Sequence, residues 1–448
     1  MDWKRRAVAT VIVAAATAAL LTASAPAARG PAVEPIRTVA AAKRYLAAQG
    51  IDPRTVVIQH ATRNYAGPRC PGRGWSCTTA KRVLQMGSDQ NQVDCTGSVL
   101  GDSCVVVQLG PGQNDARCVE QSHAAVVAQS CTITQTGTAN NATVVQKVES
   151  NVTGDVGTQT ANQIVQLTQT ATLGDNAANV LQRAHQVVNG KGVQTQDAHQ
   201  ELTVTQTAVG TGSNHNATDQ GQNQDAHNGA AQAQNTNPSG LTPCPAATLF
   251  FVGGDPNQCV YVTQNADAGD NANSSSQGIA ESENSKAASA QTQGSFSGGI
   301  AGQMELQSAT GQSSNSVHQR KDQDEIGGST TSQTQIDPVR CCGVSAIGNS
   351  SSSETLDQSS SQDASTGGAA VQQLEELGFV HAPTGSCSVT QTARDNADSS
   401  SESASTQTCA DGLGFATSCS TGETPELVPA ADTVGACTSN PFSPFEIG

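Results

Sequence analysis

A short phrase recurs along this chain and restricts what it can fold into: an apolar residue, Thr, Gln, any residue, then Ala or Gly, with a turn that ends near Asn-Ala. It reads Ile133-Thr134-Gln135-Thr136-Gly137 before Asn141-Ala142, and Leu167-Thr168-Gln169-Thr170-Ala171 before Asn176-Ala177. Further copies run from Val204 to Ala208 before Asn216-Ala217, from Val262 to Ala266 before Asn271-Ala272, and from Val389 to Ala393 before Asn396-Ala397. A looser copy is Val107-Gln108-Leu109-Gly110. Within each phrase the apolar residue and Gln alternate with threonines, which is the two-residue period of a β-strand. The Gly, Asp and Asn residues that follow supply turns.

Glutamines continue the rhythm between phrases. Gln108, Gln121, Gln135, Gln146, Gln159, Gln169, Gln182, Gln194, Gln206, Gln220 and Gln232 follow one another in steps of 10 to 14 residues. A half-turn of about twelve residues and a coil of about twenty-four are predicted, a repeat length typical of solenoids. The expected fold class is all-β: a β-solenoid with two short strands per ~24-residue coil, a small disulfide-bonded N-terminal α/β cap, and a Ser-rich, Cys-containing C-terminal region.

Composition sharpens this reading. Aromatic residues make up 3% and charged residues 13% of the 448, too few for ordinary globular cores throughout. Such a chain either stays disordered or adopts an architecture with a thin core, and the repeat favours the second. Rungs of a parallel stack lie ~4.8 Å apart, so a Gln on one rung can hydrogen-bond its equivalent above and below. The repeat assigns this ladder role to Gln108, Gln135, Gln169, Gln206, Gln220, Gln264 and Gln391.

The segment from Gln135 to Gln146 matches, position by position, Gln-x-Gly-x-x-Asn-x-Ala-x-x-x-Gln, and so resembles the curlin repeat. The resemblance implies that Gln135, Asn140 and Gln146 face inward. With one or two inserted turn residues it extends the same role to Asn176 and Gln182 beside Gln169, and to Asn271 and Gln277 beside Gln264. Curlin-like proteins are secreted, form amyloid-type fibres and build adhesive or biofilm matrix. The close match covers one repeat, and looser matches cover about a third of the chain.

Residues 1–28 read as an export signal, with Lys4-Arg5-Arg6 ahead of an apolar run from Ala7 to Leu21 and Ala25-Pro26-Ala27 as the cleavage site. That run is short of the ~20 apolar residues a span needs, and no later stretch is apolar enough, so no membrane span is expected after signal removal. Residues 31–82 form the cap, with Thr38 capping a helix over Val39–Gln49, Gly50 ending it, a strand at Val56–Ile58 and a Cys70…Cys77 loop holding Trp75. Residues 83–277 carry the Gln/Asn/Thr-rich repeats, interrupted near Asn237-Pro238-Ser239-Gly240 by an insert that holds Cys244 and ends by Cys259. Residues 278–380 are Ser-rich degenerate repeats or a flexible stalk, with a short helix expected at Val371–Leu377. Residues 381–448 hold a last repeat and a Cys-containing tail.

Cys70, Cys77, Cys95, Cys104, Cys118, Cys131, Cys244, Cys259, Cys341, Cys342, Cys387, Cys409, Cys419 and Cys437 all follow the signal. An even count in an exported chain reads as disulfides; no C-x-x-C pair suggests zinc, and connectivity stays open. Charge is divided. Residues 31–86 hold nine Lys/Arg against two acids, whereas residues 87–448 hold nine against thirty-five. An acidic, aromatic-poor body argues against nucleic-acid binding.

Hydrolase, zinc-protease and nucleotide-loop motifs are missing, and Gly210-Thr211-Gly212 is better explained as a turn. His185, His199, His215 and His227 read as scattered surface residues. No catalytic residue, cofactor or metal is therefore assigned. The expected function is that of a secreted structural or adhesive protein of the cell surface or extracellular matrix. Its expected partners are other copies of itself or surface and matrix components. The alternative is a solenoid that binds ice or glycan through an outward Thr-x-Thr face built by residues 134–136, 168–170, 205–207 and 390–392.

Overall fold

A computed structural model gives the fold. It describes side chains between residues 36 and 280, apart from 97–102, 155–157, 191–195, 226, 228–257, 259, 268 and 279. From 281 to 441 it describes backbone strands only, and the predicted export signal lies outside the described residues. The chain divides into units of residues 1–36 and 37–448; everything below concerns the second. No helix among the described residues is long and apolar enough to cross a membrane.

Among its described residues the unit is all-β apart from helix α1 (Val39–Ala48) and one 3-10 turn at Pro53–Thr55. Thr38 caps α1, its Oγ1 accepting from the Ala41 N–H at 3.2 Å, and Gly50 leaves the helix at φ 73°. The strands then alternate between two parallel sheets of 16 and 13 strands. Sheet A receives β1 (Val57–Gln59), sheet B receives β2 (Arg63–Ala66) and β3 (Ser76–Thr78), and the pattern repeats with β4 (Arg82–Gln85) and β5 (Gln90–Gly97). It continues through β6 (Ser103–Leu109) and β7 (Gln113–Ser122), β8 (Val126–Gly137) and β9 (Ala139–Thr153), then β10 (Val156–Ala171) and β11 (Asn176–Asn189). β12 (Val193–Ala208) and β13 (Asn214–His227) form the next pair. Each strand of a sheet lies parallel to the strand one coil earlier, a solenoid-like arrangement.

Register corrects the expected coil length. Gln59, Gln85, Gln108, Gln135, Gln169, Gln206 and Gln264 are successive partners in sheet A, separated by 26, 23, 27, 34, 37 and 58 residues. A coil near twenty-four residues therefore describes only the first turns. Strands lengthen from 7 residues in β6 to 16 in β10 and β12, and a long strand carries more than one inward Gln. The twelve-residue rhythm is thus the spacing between columns within a coil, not half a coil. The stack also begins earlier than expected, because β1 and β2 already form a rung within residues 31–82.

The step of 58 contains the predicted insert. β14 (Ala231–Gln234) and β15 (Gln258–Ala266) both pair with β12, so one sheet A rung stops after Gln234 and resumes at Gln258. β16 (Asn271–Asn284) returns to sheet B, and strands continue to Cys437–Pro441. Strands therefore cross the Ser-rich region, including Ser313–Ile326 and Ser351–Ala364. Val371–Leu377 is not a helix but part of the strand Gly368–His381, paired with Thr331–Pro338 on one side and Ser400–Asp411 on the other. Pairing on both edges overrides the local helical pattern.

The core is a narrow slot between the sheets. Val83, Val106, Ile133, Leu167, Val204 and Val262 form one apolar column on sheet A, and Cys104, Cys131, Val165, Leu202 and Val260 form a second. All are nearly fully buried, each contributing about 1.5–3 kcal/mol for the larger aliphatics. Facing them on sheet B, Cys95, Cys118, Val144 and Val180 give way to Thr218 and Ser275, while Ala116, Ala142 and Ala178 give way to Asn216 and Asn273. The slot therefore grows more polar towards the C-terminus. Turns stack as closely as the strands: a Cβ added to Gly212 would sit 2.1 Å from the Gly174 carbonyl oxygen, so a side chain cannot fit there.

Candidate functional site

The feature that distinguishes this slot is its polar lining. Gln59, Gln85, Gln108, Gln135, Gln169, Gln206 and Gln264 form one column, each at most 5% exposed. Each Nε2 donates to the Oε1 of the glutamine one rung nearer the N-terminus, at 2.8 to 2.9 Å. The second Nε2 hydrogen crosses the slot to a sheet B carbonyl: Gln135 reaches Asn141 O at 2.8 Å, Gln169 reaches Ala177 O at 2.9 Å and Gln206 reaches His215 O at 2.9 Å. A buried amide without partners costs about 1–3 kcal/mol. Here the donors of this column are satisfied twice over, so the column carries no such cost, whereas Asn216 Oδ1 and Gln258 Oε1 elsewhere in the slot are buried without a hydrogen bond among the described residues.

A second column, on sheet B, is Asn64, Asn91, Asn114, Asn140, Asn176, Asn214 and Asn271. Each Nδ2 donates to the Oδ1 of the asparagine one rung nearer the C-terminus, at 2.8 to 2.9 Å. The two columns therefore point their donors in opposite directions. A third column starts at Glu120, whose Oε2 accepts from Gln146 at 2.9 Å, and continues through Gln182, Gln220 and Gln277. Backbone register carries that column on through Gln319 and Gln358 to Gln391, whose side chain lies outside the described residues. The thirteen glutamines and asparagines singled out from sequence thus fall on three columns.

Other ladder residues escaped the sequence reading. Gln163, Gln200 and Gln258 each donate to the glutamine below, beginning at Gln129. Shorter pairs are Gln196 to Gln159 and Gln224 to Gln186. The signal for the Gln129 column was present: its members sit six residues before Gln135, Gln169, Gln206 and Gln264, an even spacing that puts both on one face of a strand. Asn214 was passed over for Asn216. Register pairs Asn176 with Asn214, whereas Asn216 stands two residues on and bonds Asn273 at 2.7 Å. Gln121 of the sequence series is exposed, because Glu120 takes the inward position.

On the outer face of sheet A three of the four expected Thr-x-Thr pairs come into register; the fourth, Thr390 and Thr392, lies on the sheet B strand Thr384–Ala397 beside Asp357 and Ser359 and is not part of this face. Thr134, Thr168, Thr205 and Thr263 form one column, and Thr136, Thr170 and Thr207 form the next. Two residues along a strand span roughly 6.7 Å and adjacent rungs ~4.8 Å, so the hydroxyl and methyl groups lie on a regular lattice. Below them Val107 and Leu109 occupy the same columns, so the threonine lattice begins at β8.

Comparison with known proteins returns no match: no protein-family model, no curated protein and no solved structure matches this chain. Functional argument therefore rests on the geometry.

The histidines do not converge. His185, His215 and His227 lie on β11 and β13 of sheet B, where His185 sits 3.1 Å from Asp225, while His199 is buried on β12 of sheet A. Asp197 and Glu201 flank His199 on the same strand face. Burial pushes the Asp197 carboxyl up to about 6 and raises that of Glu201. A shallow depression on sheet B is lined by small side chains, among them Ala177, Asn179, Ala217 and Ser274 around His215. Two disulfides are formed, Cys70–Cys77 and Cys95–Cys104, while Cys118 and Cys131 are buried thiols. The side chains of the other eight cysteines lie outside the described residues.

Proposed function

We propose that this chain is an exported structural protein whose amide-laddered stack serves as the scaffold of an adhesive or matrix-forming surface. The observation that carries this reading is the pair of seven-member amide columns. Six gaps of ~4.8 Å make each about 29 Å tall, and the same in-register amide bonding joins separate chains in cross-β fibres. Resemblance to the curlin repeat supports it, since the motif residues Gln135, Asn140 and Gln146 stand on three different columns. Disulfides support export, because they persist in oxidising compartments. The test is electron microscopy and thioflavin fluorescence on the purified protein, with binding to cells of the source organism measured in parallel. Fibres or surface retention that Gln169→Leu abolishes are expected; a monomer that neither assembles nor adheres rejects the proposal.

The threonine lattice favours a second reading, recognition of an ordered surface such as ice or a crystalline glycan, because one column aligns across four rungs and its neighbour across three. Thermal hysteresis or pull-down on insoluble glycan should then be lost in a Thr168→Lys/Thr205→Lys variant that melts normally. No effect of the unmodified protein on either material removes this reading.

A further inference from the structure

We infer that Cys118 and Cys131 are the partners of a second cross-core disulfide, stacked directly on Cys95–Cys104 so that two successive coils are stapled in the same place. The argument is one of register. Cys95 pairs with Cys118 along sheet B, and Cys104 pairs with Cys131 along sheet A. The formed bridge joins the facing columns across the slot, with Cα atoms 6.3 Å apart, well inside the range disulfides use. One rung further on, Cys118 and Cys131 occupy the same two columns and face each other in the same way. The next rung fills these positions with Val144 and Val165, the one after with Val180 and Leu202. Facing residues in these columns are therefore core pairs in every coil, and in two coils the pair is cysteine.

The sulfur atoms are in position. Those of Cys104, Cys118 and Cys131 lie within 4.8 Å of one another, and all three residues are at most 1% exposed. Such a cluster has two other uses: thiolate ligation of a soft metal, or exchange with the bridge below. Both need thiolates. The surroundings are Ile133, Val106, Val144 and Val165, and burial pushes the Cys131 thiol well up, with Cys118 beside it and Glu120 adding negative charge. A neutral disulfide suits this apolar slot better than two or more anionic sulfurs. Closure is a two-electron oxidation: each thiol loses a proton and together they lose two electrons. The oxidant is an external disulfide, attacked by one of the two sulfurs as a thiolate during folding, before the slot buries it; the second sulfur then displaces the carrier, which leaves as two thiols.

The proposal leans on export only for its oxidant, and the experiment separates the two. Purified protein is refolded in a glutathione redox buffer at the potential of a secretory compartment, quenched with N-ethylmaleimide and digested without reduction. Expected is a peptide pair joined through Cys118 and Cys131, lighter by two hydrogens than the free peptides, alongside the Cys95–Cys104 pair. Maleimide adducts on both cysteines, a Cys104 bridge to either of them, or one equivalent of zinc bound with both thiols reduced would each overturn the pairing. Protein taken directly from its producing cells is mapped in the same way. A bridge that forms in the buffer but is missing from the native material leaves the pairing intact and counts against export. As a second measure, Cys118→Ala, Cys131→Ala and the double variant should lower the melting temperature by the same amount, because one bond is lost in each case. Additive losses contradict the bond.

Discussion

Replacing Gln169 by Leu tests the amide columns where they should matter most. Gln169 is fully buried at the middle of its column. Its Nε2 donates to Gln135 Oε1 at 2.8 Å and to Ala177 O at 2.9 Å, and its Oε1 accepts from Gln206 Nε2 at 2.8 Å. Leucine removes all three bonds and strands three partners, two of them buried and the Ala177 carbonyl half-buried. At about 1–3 kcal/mol for each orphaned group, the loss is about 3–9 kcal/mol. Burying the leucine side chain returns about 1.5–3 kcal/mol, and Gln206 keeps its second bond to His215 O. The net expectation is a destabilisation of about 0–7.5 kcal/mol, centred on about 4 kcal/mol. Gln166→Leu is the control, three residues away on the same strand but exposed, and should stay within about 0.5 kcal/mol of the parent. Urea melts followed by circular dichroism report global stability. Hydrogen exchange on peptides from β10 reports the local effect, which matters because stacked repeats need not unfold in one step. Equal midpoints and equal protection for the two variants would refute the claim that buried amide bonding holds the slot together.

Two further substitutions probe the electrostatics and the turns. The Asp197 carboxyl, raised to about 6 from its ordinary 3.8, carries no stability cost below pH 4; the cost then grows as pH rises and is complete above about 6. Asp197→Asn should therefore match the parent at pH 4 and be more stable at pH 7.5, by about 1–3 kcal/mol; a gain that is equal at both pH values contradicts the assignment to this carboxyl. Gly212→Ala forces a Cβ against the Gly174 carbonyl, whereas Gly278→Ala meets nothing within 4 Å. The first should cost about 1–3 kcal/mol and the second should be near neutral in the same thermal melts; indistinguishable melting curves would show that the turns are not tightly stacked.

Particular residues show why some of this could be read from sequence and some could not. Gln135, Gln169, Gln206 and Gln264 were legible because the same Thr-Gln phrase surrounds each of them, and local alternation alone fixes the inward side. Gln59, Gln85, Asn64 and Asn91 belong to the same columns, yet their neighbours differ, so nothing local marks them. A column demands only that one amide meet another across ~4.8 Å; it places no condition on what lies beside that amide in sequence. Coil length was misread for a related reason. Glutamine spacing records how often the chain turns an amide inward, and only pairing shows which amides meet. The cysteine register was equally hidden, since separations of 9 and 13 residues look unrelated until the strands place both pairs in the same two columns.

The opposed donor directions of the glutamine and asparagine columns have an electrical consequence. In an α-helix all peptide dipoles align, and fractional charges of opposite sign collect at the two ends. In this stack the Gln59–Gln264 and Asn64–Asn271 columns have six described side-chain bonds each, running opposite ways. Their side-chain dipoles offset one another along the axis, so another coil carrying both amides adds height with almost no field from this pair.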